Sequence, residues 1–491
     1  MRANVSLKQR YRAILSYTGL ILLLGGLLML TPLLALAVQP GEWIYSMGFM
    51  LPAIVLAGIG TAMWRIFRSR NRVILTVQEG GVIVLLSWIV ICLFSAWPLA
   101  TIQGLSFTQA IFESVSGWTT TGLSVVDVSR TTHLILLWRS IMQLVGGAGL
   151  AVIMLAAIAG PVGPGLSLAE GRSEQLVPHV RESAKLVLVM YSGYVLVGIL
   201  AYRLAGMALF DAINHAFAAL STGGFSTHPE SIGHWNSVAV EAVTMPLMIL
   251  GNLNFLTAYL LLHGKFKDVY RNSEIRIMAA LIPAGALTLF LLVSKSIYPT
   301  LGKSFRIAIF EAITALTTTG FSTTSYGNWN SIGLLGLTVL MIIGGGTCST
   351  AGGIKQYRVY LLFKSLLWEM RRPFLPRMAV IENYVWQGER KDFISDTRIR
   401  QVATFVFLYF VTYIVGSAVL AAHGYGLRES LFEFASALGT VGLSVGITSA
   451  DSPPLVLVTE TLGMFLGRLE FFVVIVSLGK IFRDSFSMFR Q

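Results

Sequence analysis

Charged residues are scarce in this chain. Asp, Glu, Lys and Arg make up 12% of its 491 residues, about half the share of roughly 25% found in soluble globular proteins. No charged residue occurs in 13–41, 43–64 or 80–112, and each run exceeds the ~20 mainly apolar residues that a membrane-spanning helix needs. The chain is therefore predicted to be an integral membrane protein. The first run is too long for a secretory signal, so we interpret it as a retained span.

Reactive and metal-binding side chains are also few. The only cysteines, Cys92 and Cys348, lie in apolar or glycine-rich stretches, which argues against a disulfide framework or a zinc motif. The apolar runs contain no clustered carboxylates, no His/Cys pairs at metal-binding spacing and no nucleophile elbow. We therefore expect neither an enzyme nor a covalently bound cofactor.

The formal net charge of +12 is compatible with nucleic-acid binding or with membrane topology. The basic clusters fall at alternate ends of the apolar runs, as the positive-inside rule expects. They are Arg2–Arg12, Arg65–Arg72, Arg172–Lys185, Lys265–Arg276, Lys355–Arg400 and Lys480–Arg490. We predict that both termini are cytoplasmic and that no nucleic acid is bound.

One pattern occurs four times, with glycines 102, 96 and 122 residues apart. Each copy has a threonine two residues before a glycine, then an apolar residue and a serine. The copies, here called the glycine loops, are Thr119–Ser124, Ser221–Ser226, Thr317–Ser322 and Gly439–Ser444. Nine residues before each glycine stand Glu113, His215, Glu311 and Glu433. Such self-similarity indicates repeated structural units, which we number one to four.

Each unit is predicted to contain a span, a short helix, the glycine loop and a second span. The short helices, predicted at 106–118, 209–220, 303–316 and 427–438, are too short to cross a bilayer, so we interpret them as re-entrant. The second spans are predicted near 134–158, 237–262, 332–366 and 454–479. With two N-terminal spans, the fold class is an all-α membrane protein of ten transmembrane helices and four re-entrant pore helices around one pore. The predicted boundaries are 1–72 for the N-terminal pair, then 73–180, 181–272, 273–394 and 395–491.

Four glycine loops on the outer side suggest one shared cavity, because irregular backbone at membrane depth must be buried or line water. A dehydrated cation needs a ring of oxygens, and potassium filters use backbone carbonyls from four such loops. A single Thr-Gly motif is more often an ordinary turn, but four copies in one context favour a filter. For Glu113, His215, Glu311 and Glu433, we favour anchoring of the short helices over a ring of charge.

A second glycine-rich stretch, Gly344–Lys355, interrupts the second span of unit three. Five glycines in 344–353 would cost a helix roughly 1 kcal/mol each, and no Gly-Lys-Ser/Thr makes the stretch a nucleotide loop. We interpret it as an intramembrane gating loop; a packing kink is the alternative. Arg468 has the same spacing from Gly442 as Gly346 from Gly320, which predicts a gate element at that depth, or else a partner for Glu470 or Glu460.

Arg139 and Glu241 occupy the same position in units one and two, 17 residues after their glycines. A buried ionisable residue in a membrane usually faces a cavity or a partner. We predict a structural ion pair of these two residues between neighbouring units.

These residues together resemble the Trk/Ktr/HKT superfamily of potassium transporters over essentially the whole chain. The four glycine loops, Gly344–Lys355 and Gly467–Glu470 carry the resemblance. The two extra N-terminal spans are similar to the bacterial TrkH branch. Unit two departs from the pattern, with Asn214-His215 where the other units have Phe-Glu.

The resemblance implies a potassium-selective, channel-like uptake protein of the bacterial inner membrane. It implies a homodimer with one pore per subunit, and a cytoplasmic TrkA-type partner that binds nucleotides such as NAD or ATP. Potassium would be the transported ion, and Gly122 rather than serine argues for it over sodium. The implied filter residues are Thr120, Thr121, Gly122, Thr222, Gly223, Gly224, Thr318, Thr319, Gly320, Thr440, Val441 and Gly442. The implied gating residues are Gly344, Gly345, Gly346, Thr347, Ser349, Thr350, Gly352, Gly353 and Arg468.

Two alternatives stay open from the sequence. A symporter coupled to sodium or protons would also use broken helices at mid-membrane, although four copies of one loop favour a pore. The basic stretch Leu361–Arg400 is either the docking surface for the cytoplasmic partner or charge that sets topology.

Overall fold

The protein is mostly helical in the computed structural model, which describes residues 7–68, 75–149, 180–376, 382–387 and 390–489. The predicted span 134–158 lies only partly within these ranges, and its described helix is His133–Ala148. Within the described ranges, six helices are long and apolar enough to cross a membrane, or eight if each of two bent helix pairs counts as one span.

Two N-terminal helices, Leu7–Leu28 and Met47–Phe67, pack against each other. The 3₁₀-helices Thr31–Ala37 and Pro40–Tyr45 join them. A Cβ on Gly60 would lie within 3.0 Å of backbone atoms of the first helix. The two backbones therefore touch, as they do in small-residue helix pairs of membrane proteins.

This N-terminal pair is attached to unit one at both ends. At one end, Glu42 accepts hydrogen bonds from the backbone N–H groups of His133 (2.8 Å) and Leu134 (3.0 Å). It thus places a carboxylate at the start of a helix, where unpaired N–H groups favour negative charge. At the other end, Arg10 forms a 2.8 Å ion pair with Glu79.

The order of elements is the same in all four units. The first helices are Val77–Gln103, Val180–Leu204, Ser273–Leu289 and Asp396–Ala422, the third continuing through a π-helical turn, Phe290–Ser294, to Lys295–Ile297. The short helices are Phe107–Trp118, Leu209–Leu220, Leu301–Leu316 and Leu427–Leu438. Local sequence explains where they begin: a capping box between Ser106 and Gln109 starts the first of them.

The second helices of units two, three and four are all interrupted. In unit two, Val238–Asn252 and Phe255–Leu262 meet at 119°, and in unit four, Pro454–Leu469 and Phe471–Phe489 meet at 97°. In unit three, the chain leaves Ser331–Ile343, crosses the glycine-rich loop and continues as Gln356–Arg371. Only the unit-three interruption is predicted from the sequence. The other two breaks have no run of glycines: Leu253 and Asn254 separate the helices of unit two, and Glu470 (φ 62°) separates those of unit four.

The predicted loop Leu361–Arg400 contains ordered structure that the sequence analysis missed. Strands β1 (Tyr384–Gln387) and β2 (Arg390–Phe393) form an antiparallel hairpin in which Val385 pairs with Asp392. Its buried Val385 and Ile394 cluster with Tyr357, Leu361 and Val402. Because Tyr357 and Leu361 belong to Gln356–Arg371, the hairpin packs on the helix that directly follows the glycine-rich loop.

Candidate functional site

The four glycine loops form a closed ring. A Cβ added to Gly122, Gly224, Gly320 or Gly442, the glycine before the apolar residue in each glycine loop, would lie less than 3.0 Å from a carbonyl oxygen of the next loop. The facing pairs are Gly122 with Gly223, Gly224 with Thr319, Gly320 with Val441, and Gly442 with Thr121. The fourth loop therefore returns to the first, and no larger residue fits at these glycines without moving a neighbour.

The backbone repeats from loop to loop. The threonines two residues before the glycines all have left-handed φ angles: 56° at Thr120, 52° at Thr222, 52° at Thr318 and 50° at Thr440. Such a conformation costs a residue with a side chain about 1–2 kcal/mol. The same cost at four equivalent positions indicates that the ring imposes the conformation.

The hydroxyls of these four threonines differ in their hydrogen-bond partners. The side-chain oxygens of Thr120 and Thr440 are buried and have no hydrogen-bond partner among the described residues. The Thr222 hydroxyl lies 3.1 Å from that of Thr350, and the Thr318 hydroxyl accepts a 2.7 Å hydrogen bond from Gly352 N. A buried hydroxyl without a partner is costly, so the side-chain oxygens of Thr120 and Thr440 are candidate ligands.

One cavity of 720 Å³ lies against the ring, on the side to which the chain continues after each glycine. The same four glycines line it, together with many serine and threonine residues, the acidic Asp127 and Glu230, and the basic Arg139. The short helices end directly at the ring, so their C-terminal ends, which carry partial negative charge, point toward it. The arrangement suits a desolvated cation.

The residues nine positions before the glycines anchor the chain that leaves the ring. Glu113 accepts hydrogen bonds from Ser124 Oγ (2.9 Å) and Val125 N (3.0 Å), and Glu433 makes the same two bonds to Ser444 and Val445. In the other units, Glu311 accepts from Thr323 and Tyr326, and His215 Nε2 lies 2.9 Å from Ser226 Oγ. The sequence favoured anchoring of each short helix against its neighbours; the structure instead shows each of these residues bonded to the chain that leaves its own glycine loop. Among the described residues, only Glu113 also bonds a neighbouring helix, through Arg139.

The predicted pair of Arg139 and Glu241 is wrong. Arg139 Nε donates to Glu113 of its own unit at 2.8 Å, and Glu241 forms a 2.9 Å ion pair with Arg306. Arg139 also donates to the Ser226 carbonyl at 3.3 Å. Arg139 therefore bonds to its own unit and to unit two, whereas Glu241 pairs with unit three.

The glycine-rich loop of unit three contacts the ring at residues that precede the glycines and do not line the 720 Å³ cavity, here called the inner side. Thr350 Oγ1 lies within hydrogen-bond distance of the carbonyl oxygens of Leu220 (3.1 Å) and Gly251 (2.8 Å). A Cβ on Gly352 would lie within 3.0 Å of Thr440 Oγ1. Together with the contacts to Thr222 and Thr318, the loop thus touches three of the four ring threonines.

The rest of this loop is held by units two and three. Gly346 N donates to Asn252 Oδ1 at 3.1 Å, and Thr347 donates to Glu274 through both its backbone N and its hydroxyl, each at 2.7 Å. Ser349 Oγ donates to the Gly346 carbonyl at 2.6 Å. At the base, Gly345 N donates to the Gly352 carbonyl at 3.1 Å, while Gly344 and Gly353 pack backbone to backbone. The loop is therefore compact and held in place by hydrogen bonds.

Arg468 lies beside this loop. Its guanidinium donates to the Thr350 carbonyl at 2.5 Å and to the Gly146 carbonyl at 2.6 Å. The carboxylates weighed as partners are engaged elsewhere: Glu470 pairs with Arg358 at 2.7 Å, and Glu460 accepts from the Thr448 hydroxyl. Arg468 therefore links the loop of unit three to the second helix of unit one.

The sequence analysis missed one residue that contacts the ring. The side chain of Gln143, on the second helix of unit one, is fully buried and reaches the glycine loop of unit two. The available signal was a lone amide in the otherwise apolar stretch 141–145. Among the described residues, no group of three or more His, Cys, Asp or Glu side chains is placed to hold a metal ion, so the candidate ligands here are carbonyl and hydroxyl oxygens.

Comparisons with known proteins agree with this geometry. The family model for TrkH, described as a cation transport protein, matches residues 46–488. The chain is 31% identical over 486 residues to the Trk system potassium uptake protein TrkG of Escherichia coli, an alignment that covers 96% of this chain and 98% of that protein. It is 31% identical over 485 residues to TrkH of Halomonas elongata, with coverages of 95% and 98%. Its fold matches the crystal structure of the potassium transporter TrkH from Vibrio parahaemolyticus with a TM-score of 0.81 at 27% identity, covering 95% of this chain and 98% of that one.

Proposed function

This chain belongs to the TrkH family of cation transport proteins, and from that premise we propose that it is a potassium-selective, channel-like uptake protein. The family consists of multi-pass membrane transporters rather than enzymes. The relatives named potassium uptake proteins align over nearly their whole length with this chain. Potassium is thus the cargo, and no resident cofactor is needed on this chain.

The closed ring of four glycine loops carries the proposal. Carbonyl oxygens of the loops, with the unpartnered hydroxyls of Thr120 and Thr440, replace the hydration shell of the ion. The filter residues are those named from the sequence, Thr120–Gly122, Thr222–Gly224, Thr318–Gly320 and Thr440–Gly442. Asp127 and Glu230 in the outer cavity raise the local concentration of cations.

The gate in this proposal is the loop 344–353. It touches the ring threonines from the inner side, so ions pass only after it withdraws. Arg468 holds the loop through the Thr350 carbonyl and places a positive charge next to the path. Conduction then requires that these hydrogen bonds break, which a regulator can promote by moving the helix Gln356–Arg371.

The remaining parts of the proposal follow from the family. The protein is a homodimer of the bacterial inner membrane with cytoplasmic termini, ten transmembrane helices and four re-entrant pore helices. A TrkA-type cytoplasmic partner, which binds the nucleotide, docks on the basic segment Leu361–Arg400. The hairpin in that segment supports this, because it packs on Gln356–Arg371 and leaves Phe393 60% exposed.

A potassium symporter coupled to sodium or protons is the second candidate. The interrupted second helices of units two, three and four favour it, because transporters bind ions at such breaks near mid-membrane. The two candidates differ in what drives uptake, so one experiment separates them.

The test is isotopic rubidium uptake into potassium-loaded liposomes that contain the purified protein, with and without a sodium or proton gradient. A pore predicts uptake driven by the potassium gradient alone and inhibited by external potassium. Gly320→Ser should abolish uptake or admit sodium, because its Cβ would meet the Val441 carbonyl and its φ is 82°. Gly302→Ser is the matched control, since a Cβ there meets nothing within 4 Å. Uptake only under an imposed sodium or proton gradient would establish the symporter instead.

A further inference from the structure

Unit two lacks a hydroxyl–hydroxyl contact that stabilises the glycine loops of units one and three. In unit one, the hydroxyl of Thr121, just before the glycine, lies 2.8 Å from that of Thr119, and in unit three Thr319 and Thr317 make the same 2.8 Å contact. The corresponding residue of unit two is Gly223, which has no side chain. Two successive glycines, Gly223 and Gly224, are the most flexible pair that a backbone can have.

The backbone conformation at position 223 does not require a glycine. Among the described glycines, Gly122 and Gly224 have positive φ angles, and Gly223 does not. The space beside Gly223 is instead already occupied. A Cβ there would lie less than 3.0 Å from Cδ, Oε1 and Cγ of Gln143.

Gln143 holds the loop of unit two from the second helix of unit one. Its Nε2 donates to the Gly223 carbonyl at 2.5 Å, and its Oε1 accepts from Phe225 N at 3.1 Å. One amide thus brackets Gly224 from both sides. The Gly223 carbonyl is also the oxygen that Gly122 faces across the junction of loops one and two.

We propose that Gln143 is a positioning residue for ion selection, which supplies from unit one the support that Gly223 cannot supply from unit two. Discrimination by a ring of oxygens depends on the number and placement of its carbonyl dipoles. The Gly223 carbonyl is the only one of the four junction carbonyls that accepts a side-chain hydrogen bond among the described residues. This inference rests on the proposed function, because it assigns a role within that filter.

The chemistry of the bracket requires an amide of this length. Glutamine offers one donor group and one acceptor on the same side chain, which match a carbonyl and an N–H two residues apart. An ionised glutamate at 143 keeps the acceptor but turns an oxygen toward the Gly223 carbonyl. Leucine keeps the approximate volume and loses both hydrogen bonds.

The same logic predicts a reciprocal rescue. Gly223→Thr alone should disturb the ring, because its side chain collides with Gln143. Gln143→Ala alone should leave the loop unsupported. The double variant Gln143→Ala/Gly223→Thr removes the collision and places a threonine two residues after Ser221, as in units one and three.

The experiment measures rubidium uptake by the full-length protein in liposomes, with external potassium or sodium as competitor. The readout is the sodium concentration that halves uptake divided by the potassium concentration that halves it. We expect each single variant to lower this ratio by about tenfold, namely Gln143→Leu, Gln143→Glu, Gln143→Ala and Gly223→Thr. A change of about tenfold is the effect of losing one to two hydrogen bonds. The double variant should return to within about threefold of the wild type. Gln39→Leu, an exposed site in the outer turn, makes the same chemical change away from the filter and should alter nothing.

The possible outcomes separate failure of this inference from failure of the proposed function. Wild-type selectivity in folded Gln143→Leu overturns the inference, as does a double variant no better than its worse parent. If Gln143→Leu is not recovered as a monodisperse protein, Gln143→Glu carries the same expectation and the same refutation. A wild type without preference for potassium refutes the proposed function itself and this inference with it, whereas a selective wild type with selective variants refutes the inference alone.

Discussion

The proposed gate predicts that replacing Gly352 by alanine opens the proposed pore without any partner. Gly352 N donates to Thr318 Oγ1 at 2.7 Å, and its α-carbon lies so close to unit four that a Cβ would be within 3.0 Å of Thr440 Oγ1 and the Gly439 carbonyl. Gly352 is not one of the described glycines with a positive φ, so alanine can adopt its backbone conformation without strain. The collision with the ring is therefore the single obstacle, and withdrawal of the loop relieves it.

The size of the effect follows from these contacts. The loop must retreat by roughly 1 Å to reach ordinary van der Waals separation. Overpacking of this kind costs about 1–3 kcal/mol, and loss of the hydrogen bond to Thr318 adds about 1 kcal/mol. A total of about 2–4 kcal/mol against the closed state raises the open population by roughly 30-fold to 1,000-fold.

The assay is partner-free rubidium flux into liposomes, normalised to the amount of folded protein. We expect basal flux in Gly352→Ala to rise by at least about tenfold, with selectivity for potassium kept. Gly336→Ala is the matched control on the preceding helix, because its Cβ would meet only Leu289 Cδ2 at 3.7 Å. Unchanged or reduced flux in a folded Gly352→Ala protein would refute the assignment of this loop as the gate.

Two further predictions concern stability, and both are checked by thermal unfolding in detergent followed by tryptophan fluorescence. Glu113→Gln should lower the free energy of unfolding by about 3–5 kcal/mol, because it leaves the charge of Arg139 buried without its carboxylate. Glu433→Gln, where no described cation pairs with the carboxylate, should lower it by only about 1–3 kcal/mol. Equal losses of stability in the two variants would contradict the electrostatic argument. Glu42→Ala should cost about 1 kcal/mol by removing the carboxylate that accepts from the first two N–H groups of His133–Ala148, and an unchanged melting temperature would show that this carboxylate does not stabilise the helix.

The positions of the short helices were accessible from the sequence because local interactions decide them. Stretches predicted at 209–220 and 427–438 have those bounds in the structure, and 303–316 begins two residues earlier, at Leu301. Each carries apolar residues at helical spacing and ends where the threonine and glycine of the loop leave the helical conformation. Repetition added to the signal, since four copies of one pattern average out its irregularities.

The hairpin and the bends were less accessible. Tyr384–Gln387 contains two aromatic residues and a valine, a composition that favours strands, but it is shorter than the usual strand and lies in a charged region. The bends after Asn252 and at Glu470 carry no run of glycines. They occur where the unit-three loop enters the bundle, and Asn252 is one of the residues that bind it.

The sequence by itself determined the class of protein, the four-fold repeat and the family, because hydrophobic runs, basic clusters and repeated motifs are properties of residues near each other in the chain. Only the tertiary structure decided which carbonyl each glycine faces, what Arg139 and Arg468 bind, and that Gln143 supports the loop of unit two. Those contacts join residues far apart in sequence, such as Gln143 and Gly223, 80 positions apart, or Thr222 and Thr350, 128 apart. Spacing within a unit sets which residues are equivalent, whereas the packing of four units into a ring sets which of them meet.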